Sequence, residues 1–283
     1  MNLRFLIVGD ICMDNGSKTL SVVIIGLDEA DNLQRCFESV EKAITRAEGL
    51  LSSWSIVYVD SGSSDESIGV ARHYTKDIYL VTEFPSAAAG RMAGLRESNG
   101  QLVLFLDGDM ELHSDWLCET LEILTNNEAS AFAGITGIRD DVYIDEVSGE
   151  MIGERHNVYG VKEARVAPHF GGALLIKREA IVNAGGYRIA LKAGEEPDLY
   201  ARLLSQGMRV LELPIPFIRH YTLPKRSRVE RLVSLCSVRA HTCFADTLWS
   251  AVDGRYLLGT LFVYRYTFMV WRSDPLTPDI MLQ

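Results

Sequence analysis

The chain has 283 residues, of which 47% are hydrophobic and 23% are charged. This length and composition allow one large domain or two smaller ones, and they exclude a disordered chain, a collagen and a disulfide-stapled mini-protein. With 28 Lys and Arg against 38 Asp and Glu, the formal net charge is −10. The sequence therefore predicts no nucleic-acid partner, because phosphates require a basic surface.

The cysteines and the apolar runs bear on the compartment of the protein. Five cysteines lie far apart and form no CxxC pair, which favours reduced thiols over a disulfide or zinc framework. No small-residue cleavage site follows the apolar run at residues 3–8, and no stretch of about 18 uncharged apolar residues is present. We therefore expect a cytoplasmic protein, and its C-terminal segment leaves membrane association open.

The first 110 residues alternate between apolar, β-branched runs and amphipathic segments. Strands are predicted at residues 20–26, 55–59, 77–81 and 101–106, and helices at 31–46, 66–74 and 86–98. Apolar strands separated by such helices are typical of an α/β fold whose mainly parallel sheet has helices on both faces. Asp28, Asp60 and Asp107 follow three of these strands, and ligands of such sheets bind at the carboxyl ends of the strands.

The rest of the chain predicts a second half and two terminal segments. Residues 131–161 contain short β-prone pieces with turn signals at Asp140-Asp141 and Ser148-Gly149, which indicates antiparallel hairpins. We predict further helices that begin at Ser114, Arg178 and Pro197, and a last strand at residues 209–213. The predicted domain covers residues 20–224, with a nucleotide half at about 20–110 and an acceptor half at 111–224. Residues 1–19 form an N-terminal extension, and residues 225–283 a C-terminal helical segment.

The C-terminal segment combines a basic stretch with an aromatic one. Arginines and lysines cluster at residues 225–239, and an apolar, aromatic run follows at 256–271. Residues 225–272 are therefore candidates for peripheral contact with an anionic membrane or a lipid-linked acceptor. Packing on the domain, or a contact in a homo-oligomer, explains the same pattern.

Asp107-Gly-Asp109 is the motif with the clearest chemistry. Two carboxylates on either side of a glycine turn suit Mn²⁺ or Mg²⁺, whose remaining ligands can be the oxygens of a nucleoside diphosphate. The structural alternative is a turn that caps the next helix. Asp60-Ser-Gly-Ser-Ser-Asp65 can bind a base or ribose, or it can be a loop with a helix cap.

For the acids at residues 195–198 and for His220, a structural explanation is about as strong as a functional one. Acids at Glu195, Glu196 and Asp198 complement the dipole of a first helical turn, and one of them can act as a general base. His220 becomes a metal ligand only if the chain returns to the DxD turn. His169, just before Gly171-Gly172, is a candidate for lining an acceptor pocket.

The order of these motifs resembles that of family 2 glycosyltransferases with the GT-A (Rossmann-like) fold, over about residues 20–221. The motifs are VDSGSSD, LDGDM, GGALLIKREAIVNAGGY and GEEPDLYARLLSQG. The resemblance implies a role for each site residue. It implies nucleotide contacts for Asp28, Glu29, Asp60, Ser61, Asp65, Arg91 and Asp107. It implies metal ligands at Asp107, Asp109 and His220, and an acceptor side at Gly171 and Gly172, to which we add His169 and Asp198 as candidate acceptor contacts. Glu196 is implied as the catalytic base, with Glu195 as the alternative.

The activity implied is metal-dependent transfer of a sugar from a UDP-sugar to a hydroxyl of a saccharide, lipid-linked or protein acceptor, with inversion in one displacement. A nucleotidyltransferase of similar fold is one alternative. The loop after its first strand normally carries a basic residue, whereas residues 26–32 here are acidic and would repel a triphosphate. An inactive sugar-nucleotide-binding relative is the other alternative.

Overall fold

A computed structural model describes residues 18–125, 131–191 and 193–224. The predicted C-terminal helical segment and nearly all of the N-terminal extension lie outside these ranges. Within them, no helix has the length and apolar character needed to cross a membrane.

The described residues form six α-helices and ten strands. The helices are α1 (Ala30–Ala47), α2 (Ser67–Ala71), α3 (Ala87–Glu97), α4 (Trp116–Thr125), α5 (Arg178–Asn183) and α6 (Glu195–Ser205). The strands are β1 (Thr19–Gly26), β2 (Ser53–Asp60), β3 (Asp77–Leu80), β4 (Leu102–Asp107), β5 (Met110–Leu112), β6 (Phe132–Ile144), β7 (Met151–Arg155), β8 (Arg165–Val166), β9 (Leu174–Lys177) and β10 (Arg209–Thr222).

All ten strands belong to one sheet, in which eight follow the order β3-β2-β1-β4-β9-β6-β10-β5. The first four are parallel to one another. β9 then pairs antiparallel with both β4 and β6, and β6 runs parallel to β10. β5 and β8 pair antiparallel with β10, and β7 forms a hairpin with β6. A parallel first half is thus joined to a mixed second half.

The core has two layers because the central strands are buried on both faces. On β1, Val22 and Ile24 pack in the layer of α1 and α4, and Val23 and Ile25 pack in the layer of α3, α5 and α6. This two-sided burial explains why the strand is continuously apolar instead of alternating. The predicted α/β sheet with helices on both faces is confirmed.

Two sequence predictions in the second half were wrong. Asp140-Asp141 is not a turn but lies inside β6. Within the strand, Asp141 is paired with Arg139, and the side chain of Asp140 accepts a hydrogen bond from the backbone amide of Asn157. The last strand does not end at residue 213 but continues to Thr222. Its pairing with β6 is irregular between residues 212 and 218, which accommodates prolines that donate no backbone hydrogen bond.

Candidate active site

Three neighbouring strands end at one edge of the sheet, and the acids predicted from the sequence lie there. β1 pairs in parallel with β2 up to Asp60 and with β4 up to Asp107. Because β1 lies between the other two, its following loop, with Asp28 and Glu29, lies between their tips. The topology therefore gathers these acids at one place.

Hydrogen bonds join the loop after β1 to the loop after β2. Asp28 Oδ1 accepts from the amide of Ser64 at 2.7 Å, and Asp65 Oδ2 accepts from the amide of Ala30 at 3.0 Å. Burial alone would raise the pKa of Asp65, but hydrogen bonds from Ser67 and Ala30 outweigh it and lower that pKa. Asp28 itself has a φ of 56°, a conformation uncommon for a residue with a side chain. The two loops thus form a braced rim beside the strand tips.

Asp60 is fully buried, and its carboxylate accepts hydrogen bonds from its own strand and loop. Oδ1 accepts from the amides of Gly62 and Ser63 at 2.8 and 2.7 Å, and Oδ2 accepts from the hydroxyl of Tyr58 at 3.1 Å. Ser61 at the same tip keeps part of its surface exposed. In this structure Asp60 therefore shapes the predicted base-binding loop, and Ser61 offers exposed surface there.

The DxD turn connects β4 to β5, and each of its carboxylates has one polar partner. Asp107 Oδ1 accepts a hydrogen bond from Nη2 of Arg91 at 2.7 Å, and Asp109 Oδ2 lies 3.0 Å from Nε2 of His220. Asp109 Oδ1 is buried, and none of the described residues donates a hydrogen bond to it. A buried carboxylate oxygen is costly without a partner, and a divalent cation would supply one. These oxygen donors fit Mn²⁺ or Mg²⁺.

Glu29 is a further acid beside this turn. Burial is the main cause that raises its pKa to about 7; a hydrogen bond from Asn32 lowers the pKa, and the charges of Asp109 and Asp107 raise it. A Cβ atom at Gly108 would lie only 3.2 Å from the Glu29 side chain. A bound cation would relieve the repulsion among these closely packed acids.

Arg91 links the DxD turn to the start of α6. Its side chain is 2% exposed, and Nη1 donates to Glu195 Oε1 at 2.7 Å while lying 3.5 Å from Glu196 Oε1. Burial lowers the pKa of this guanidinium, but the charges of Asp107, Glu196 and Glu195 raise it overall. The resemblance implied a nucleotide contact for Arg91. In this structure it is buried and bridges carboxylates of the two halves, and the nucleotide contact stays a prediction.

Gly172 lies where a side chain would collide with this bridge. A Cβ atom there would overlap Asp107 Oδ2 and lie 2.6 Å from Nη2 of Arg91. Only a glycine lets the segment before β9 run this close to both side chains. The second glycine of the GG motif is therefore required by the close packing of the site.

Glu195 and Glu196 begin α6, directly after Gly194 in a left-handed conformation with a φ of 79°. Glu195 is buried against Arg91, whereas 18% of the Glu196 side chain is exposed. Burial raises the pKa of Glu196 to about 7; Arg91 lowers it and Glu195 raises it. Glu196 is thus a partly exposed carboxylate that can take up a proton near neutral pH, as a general base must.

Tyr187 also belongs to this cluster, and sequence reasoning missed it. The guanidinium of Arg91 lies 5.6 Å from the centre of its ring. Its hydroxyl is buried and has no hydrogen-bond partner among the described residues. Burial raises the pKa of that hydroxyl, and Arg91 lowers it. The sequence feature that could have pointed to Tyr187 is its position directly after the Gly185-Gly186 turn. That turn looked like an ordinary loop, so Tyr187 was not selected.

The predicted acceptor residues divide into two groups. His169 is exposed and packs edge-on against the ring of Tyr159, with the ring centres 4.8 Å apart. A small pocket is lined by Tyr159, Gly171, Gly172 and Arg139, together with residues of β6 and β10. Gly171 and Gly172 therefore share this pocket with Tyr159, the ring that His169 contacts, and Gly172 also lies against Asp107 of the DxD turn.

Asp198 lies outside this group. Its carboxylate has no exposed surface, because Arg202 Nη2 lies 2.6 Å from Oδ2 and Arg188 Nη1 lies 3.2 Å from Oδ1. The pair with Arg188 attaches α6 to the segment before it, whereas the pair with Arg202 lies within the helix. We therefore leave Asp198 out of the proposed acceptor site.

On the side away from Asp109, His220 contacts Asp141 and Arg139. The sequence predicted Asp141 to lie in a turn and did not single out Arg139. The Nδ1 atom of His220 lies 2.7 Å from Nη2 of Arg139 and 3.3 Å from Oδ1 of Asp141. Both partners lie on β6, which pairs in register with β10 at His220. The chain does return to the DxD turn, as the prediction for His220 required.

Comparison with known proteins identifies the family. Residues 21–192 match the family model described as Glycosyl transferase family 2. Glycosyltransferase AglE of Haloferax volcanii is 32% identical over 103 residues, which are 35% of this chain and 33% of that protein. The pre-mycofactocin glycosyltransferase of Mycobacterium tuberculosis is 26% identical over 220 residues, which are 72% of this chain and 43% of that protein. The chain thus spans less than half the length of either relative.

Solved structures show the same fold at low sequence identity. S. aureus TarS 1-349 has a TM-score of 0.63 and 11% identity, over 87% of this chain and 72% of that one. The mannosyltransferase PcManGT of Pyrobaculum calidifontis, solved with GDP-Man and Mn²⁺, has a TM-score of 0.59 and 17% identity, over 87% and 70%. GalNAc-T7, solved with UDP, GalNAc and Mn²⁺, has a TM-score of 0.61 and 16% identity, over 89% and 57%. These likenesses confirm the predicted GT-A fold.

Proposed function

The chain belongs to glycosyl transferase family 2, and from this membership we propose that it moves a sugar from a nucleoside diphosphate to a hydroxyl group. The donor we propose is a UDP-sugar, and the acceptor a saccharide, a lipid-linked molecule or a protein. One observation carries the proposal: Arg91 ties Asp107 of the DxD turn to Glu195 and Glu196. A donor-side carboxylate and a candidate base are thereby held within the span of one side chain.

Asp107 and Asp109 would hold a divalent cation, Mn²⁺ or Mg²⁺. Two neighbours of the same fold were solved with Mn²⁺ and a nucleotide or nucleotide sugar, and the buried, unpartnered Asp109 Oδ1 supports the same assignment. Such an ion, when bound, stabilises the negative charge of the departing diphosphate. The residues near the DxD turn would fix the position of the ion. Glu29 packs against Gly108 of that turn, and the rim of Asp28 and Asp65 lies beside it.

Glu196 is the base in this proposal. As the acceptor oxygen forms its bond to the anomeric carbon, the bond from that carbon to the diphosphate breaks and Glu196 takes the hydroxyl proton. A single displacement of this kind inverts the anomeric configuration. Glu195 is less suited, because it is buried and its carboxylate accepts from Arg91 at 2.7 Å. We assign Glu195 to holding Arg91 in place.

The remaining predicted residues complete the two subsites. The rim formed by Asp28, Asp65 and Ser61, with Asp60 buried beneath it, would bind the nucleoside. His169 would contact the acceptor, and Gly171 and Gly172 would leave room for it beside the DxD turn. The aromatic contact between His169 and Tyr159 gives that side a face suited to the C–H groups of a sugar.

The test is transfer and hydrolysis of UDP-, GDP- and dTDP-sugars by the full chain, with and without Mn²⁺. We expect nucleoside diphosphate release that requires the ion and that is lost in Glu196→Gln. The matched substitution Glu195→Gln should reduce the rate less. If Glu195→Gln is the inactive variant instead, the base is assigned one residue too late.

The same assay separates the alternative functions. Release of pyrophosphate from a nucleoside triphosphate and a sugar phosphate would indicate a nucleotidyltransferase. Binding of nucleotide sugars in a thermal-shift screen, with no turnover of any donor, would indicate an inactive relative. The presence of Asp107, Asp109 and Glu196 together favours the transferase over both.

A further inference from the structure

The tip of the β6–β7 hairpin, residues 145–152, exposes apolar side chains to solvent. Val147 is 95% exposed, Met151 61% and Ile152 56%. Among the described strands β7 pairs only with β6, so its outer edge is also unpaired. Single apolar residues on a surface are ordinary, but three of them on one short hairpin with an open strand edge form a surface that proteins normally cover.

The hairpin tip is also acidic. Asp145, Glu146 and Glu150 lie in it, and residues 140–154 contain no Lys or Arg. The Asp145 carboxylate accepts hydrogen bonds from two amides of its own turn, which it thereby shapes. No described residue forms an ion pair with Glu146 or Glu150. The tip therefore offers two free carboxylates beside its apolar side chains.

β10 ends beside this tip. Thr222 of β10 pairs with Tyr143 of β6, and Tyr143 pairs on its other side with Gly153 of β7. Because β6 and β10 are parallel, both chains run in the same direction beyond this pair: β6 enters the tip, and β10 continues to Leu223, which is 43% exposed. Two strand spacings, about 10 Å, separate β10 from β7. The residues after Pro224 therefore start within reach of the hairpin tip.

The sequence after Pro224 is complementary to this surface. Residues 225–239 contain five Lys and Arg against one Glu, and their apolar residues include Val229, Leu232 and Val233. Since the segment belongs to the same chain and begins about 10 Å away, binding to the tip is intramolecular and is favoured by a high effective concentration. Charge and position thus indicate the same occupant.

We propose that the tip of the β6–β7 hairpin is the docking surface for residues 225–239 of the same chain. The segment itself lies outside the described residues. Its arginines pair with Glu146 and Glu150, which have no other ionic partner. Its apolar side chains cover Val147, Met151 and Ile152.

An anionic membrane is the rival occupant for the same basic residues. The acids of the hairpin tip would repel such a membrane, yet β10 brings residues 225–239 next to them. Docking within the chain satisfies both sets of charges and covers the open edge of β7, which could otherwise pair with a second copy. It requires no metal ion, nucleotide or turnover, so its failure and failure of the proposed function can be told apart.

Amide hydrogen exchange of the full chain, measured by mass spectrometry, tests the docking. The wild type is compared with a variant that carries Arg226→Glu, Arg228→Glu and Arg231→Glu. Docking slows exchange at residues 145–155, so we expect peptides from this range to exchange about 5–10-fold faster in the variant. Peptides from β1 report on the rest of the fold and should be unchanged. Equal exchange at residues 145–155 in both proteins would overturn the proposal.

Charge reversal on the hairpin distinguishes direct pairing from a general effect of charge. Glu146→Lys together with Glu150→Lys should also speed exchange at residues 145–155. Joining these two changes to the three arginine replacements should restore slow exchange, and a combined variant that exchanges as fast as either parent would refute the pairing. Glu41→Lys, at an exposed position on α1, is the matched control and should leave exchange at the tip unchanged.

Carbodiimide crosslinking of the wild type tests the same contact without any variant. It joins a carboxylate to a lysine amine in direct contact, and Lys225 is the only lysine of residues 225–239. We expect a link from Lys225 to Glu146 or Glu150 within one chain. Absence of such a link would overturn the proposal. Links found only between ¹⁵N-labelled and unlabelled chains in a mixture would overturn it in favour of a second copy. Slow exchange at residues 145–155 that appears only with phosphatidylserine vesicles would overturn it in favour of a membrane.

Discussion

Replacing the proposed base with its neutral analogue should make the protein more stable. Burial raises the pKa of Glu196 from an ordinary value of 4.5 to about 7. Above neutral pH, keeping Glu196 charged therefore lowers the free energy of unfolding. One pKa unit corresponds to about 1.4 kcal/mol, which gives a cost of roughly 3 kcal/mol. Glu196→Gln removes the charge and keeps the shape. The attraction of Arg91 is already included in this net value.

The sign of the pH dependence follows from the direction of the shift. Glu196 is protonated in both the folded and the unfolded chain below pH 4.5, and it is charged in both above about 7. The extra stability of Glu196→Gln should therefore be close to zero near pH 4.5 and should grow to its full value at pH 8. Urea unfolding of the wild type and the variant at these two values measures it. Glu41→Gln, at an exposed position on α1, is the matched control and should show little change.

A variant that is less stable than the wild type at pH 8 would refute this reasoning. A stability difference that is the same at both values would also refute it. Either result would mean that the carboxylate of Glu196 is well solvated or fully compensated by Arg91, and the case for a base tuned to neutral pH would lose its physical ground.

Four further outcomes are expected. Asp109→Ala should lower Mn²⁺-dependent turnover by about 100-fold or more while the protein stays folded; full turnover would contradict the metal site. Gly172→Ala should cost about 1–3 kcal/mol of unfolding free energy, and wild-type stability would mean that Asp107 can move aside freely. Arg91→Lys keeps the charge but not the two-armed geometry, so kcat should fall; an unchanged kcat would show that the bridge is dispensable. The wild-type rate should rise with pH through about 7 as Glu196 loses its proton, and a flat pH–rate profile would exclude that assignment.

The parallel first half of the sheet was predictable because its signals are local. Apolar runs with helical segments between them located β1 to β4 and α1 to α3 to within a few residues. Parallel strands bring their carboxyl ends to one edge, so the meeting of Asp28, Asp60 and Asp107 followed from the order of the elements. The family resemblance placed the candidate base at the first turn of α6, where Glu196 is found.

The partners of Arg91 and His220 could not be predicted, because they depend on contacts between distant parts of the chain. Arg91 and Glu195 are 104 positions apart, and Arg139 and His220 are 81 apart. Asp140-Asp141 has the composition of a turn, and the partners that let Asp141 be buried in β6, Arg139 and His220, are not visible in the local sequence. The prolines near the middle of β10 likewise concealed a strand that continues past them.

The length of β10 has a consequence for the order in which the enzyme matures. Tyr221 donates its amide hydrogen to the carbonyl of Asp109, so the strand that clamps the DxD turn is synthesised more than a hundred residues after the turn itself. A nascent chain can pair β1 to β4 early, yet the DxD turn lacks this hydrogen bond until β10 docks. Catalytic competence should therefore lag behind compaction during refolding, and a chain cut before residue 209 should collapse without becoming an enzyme.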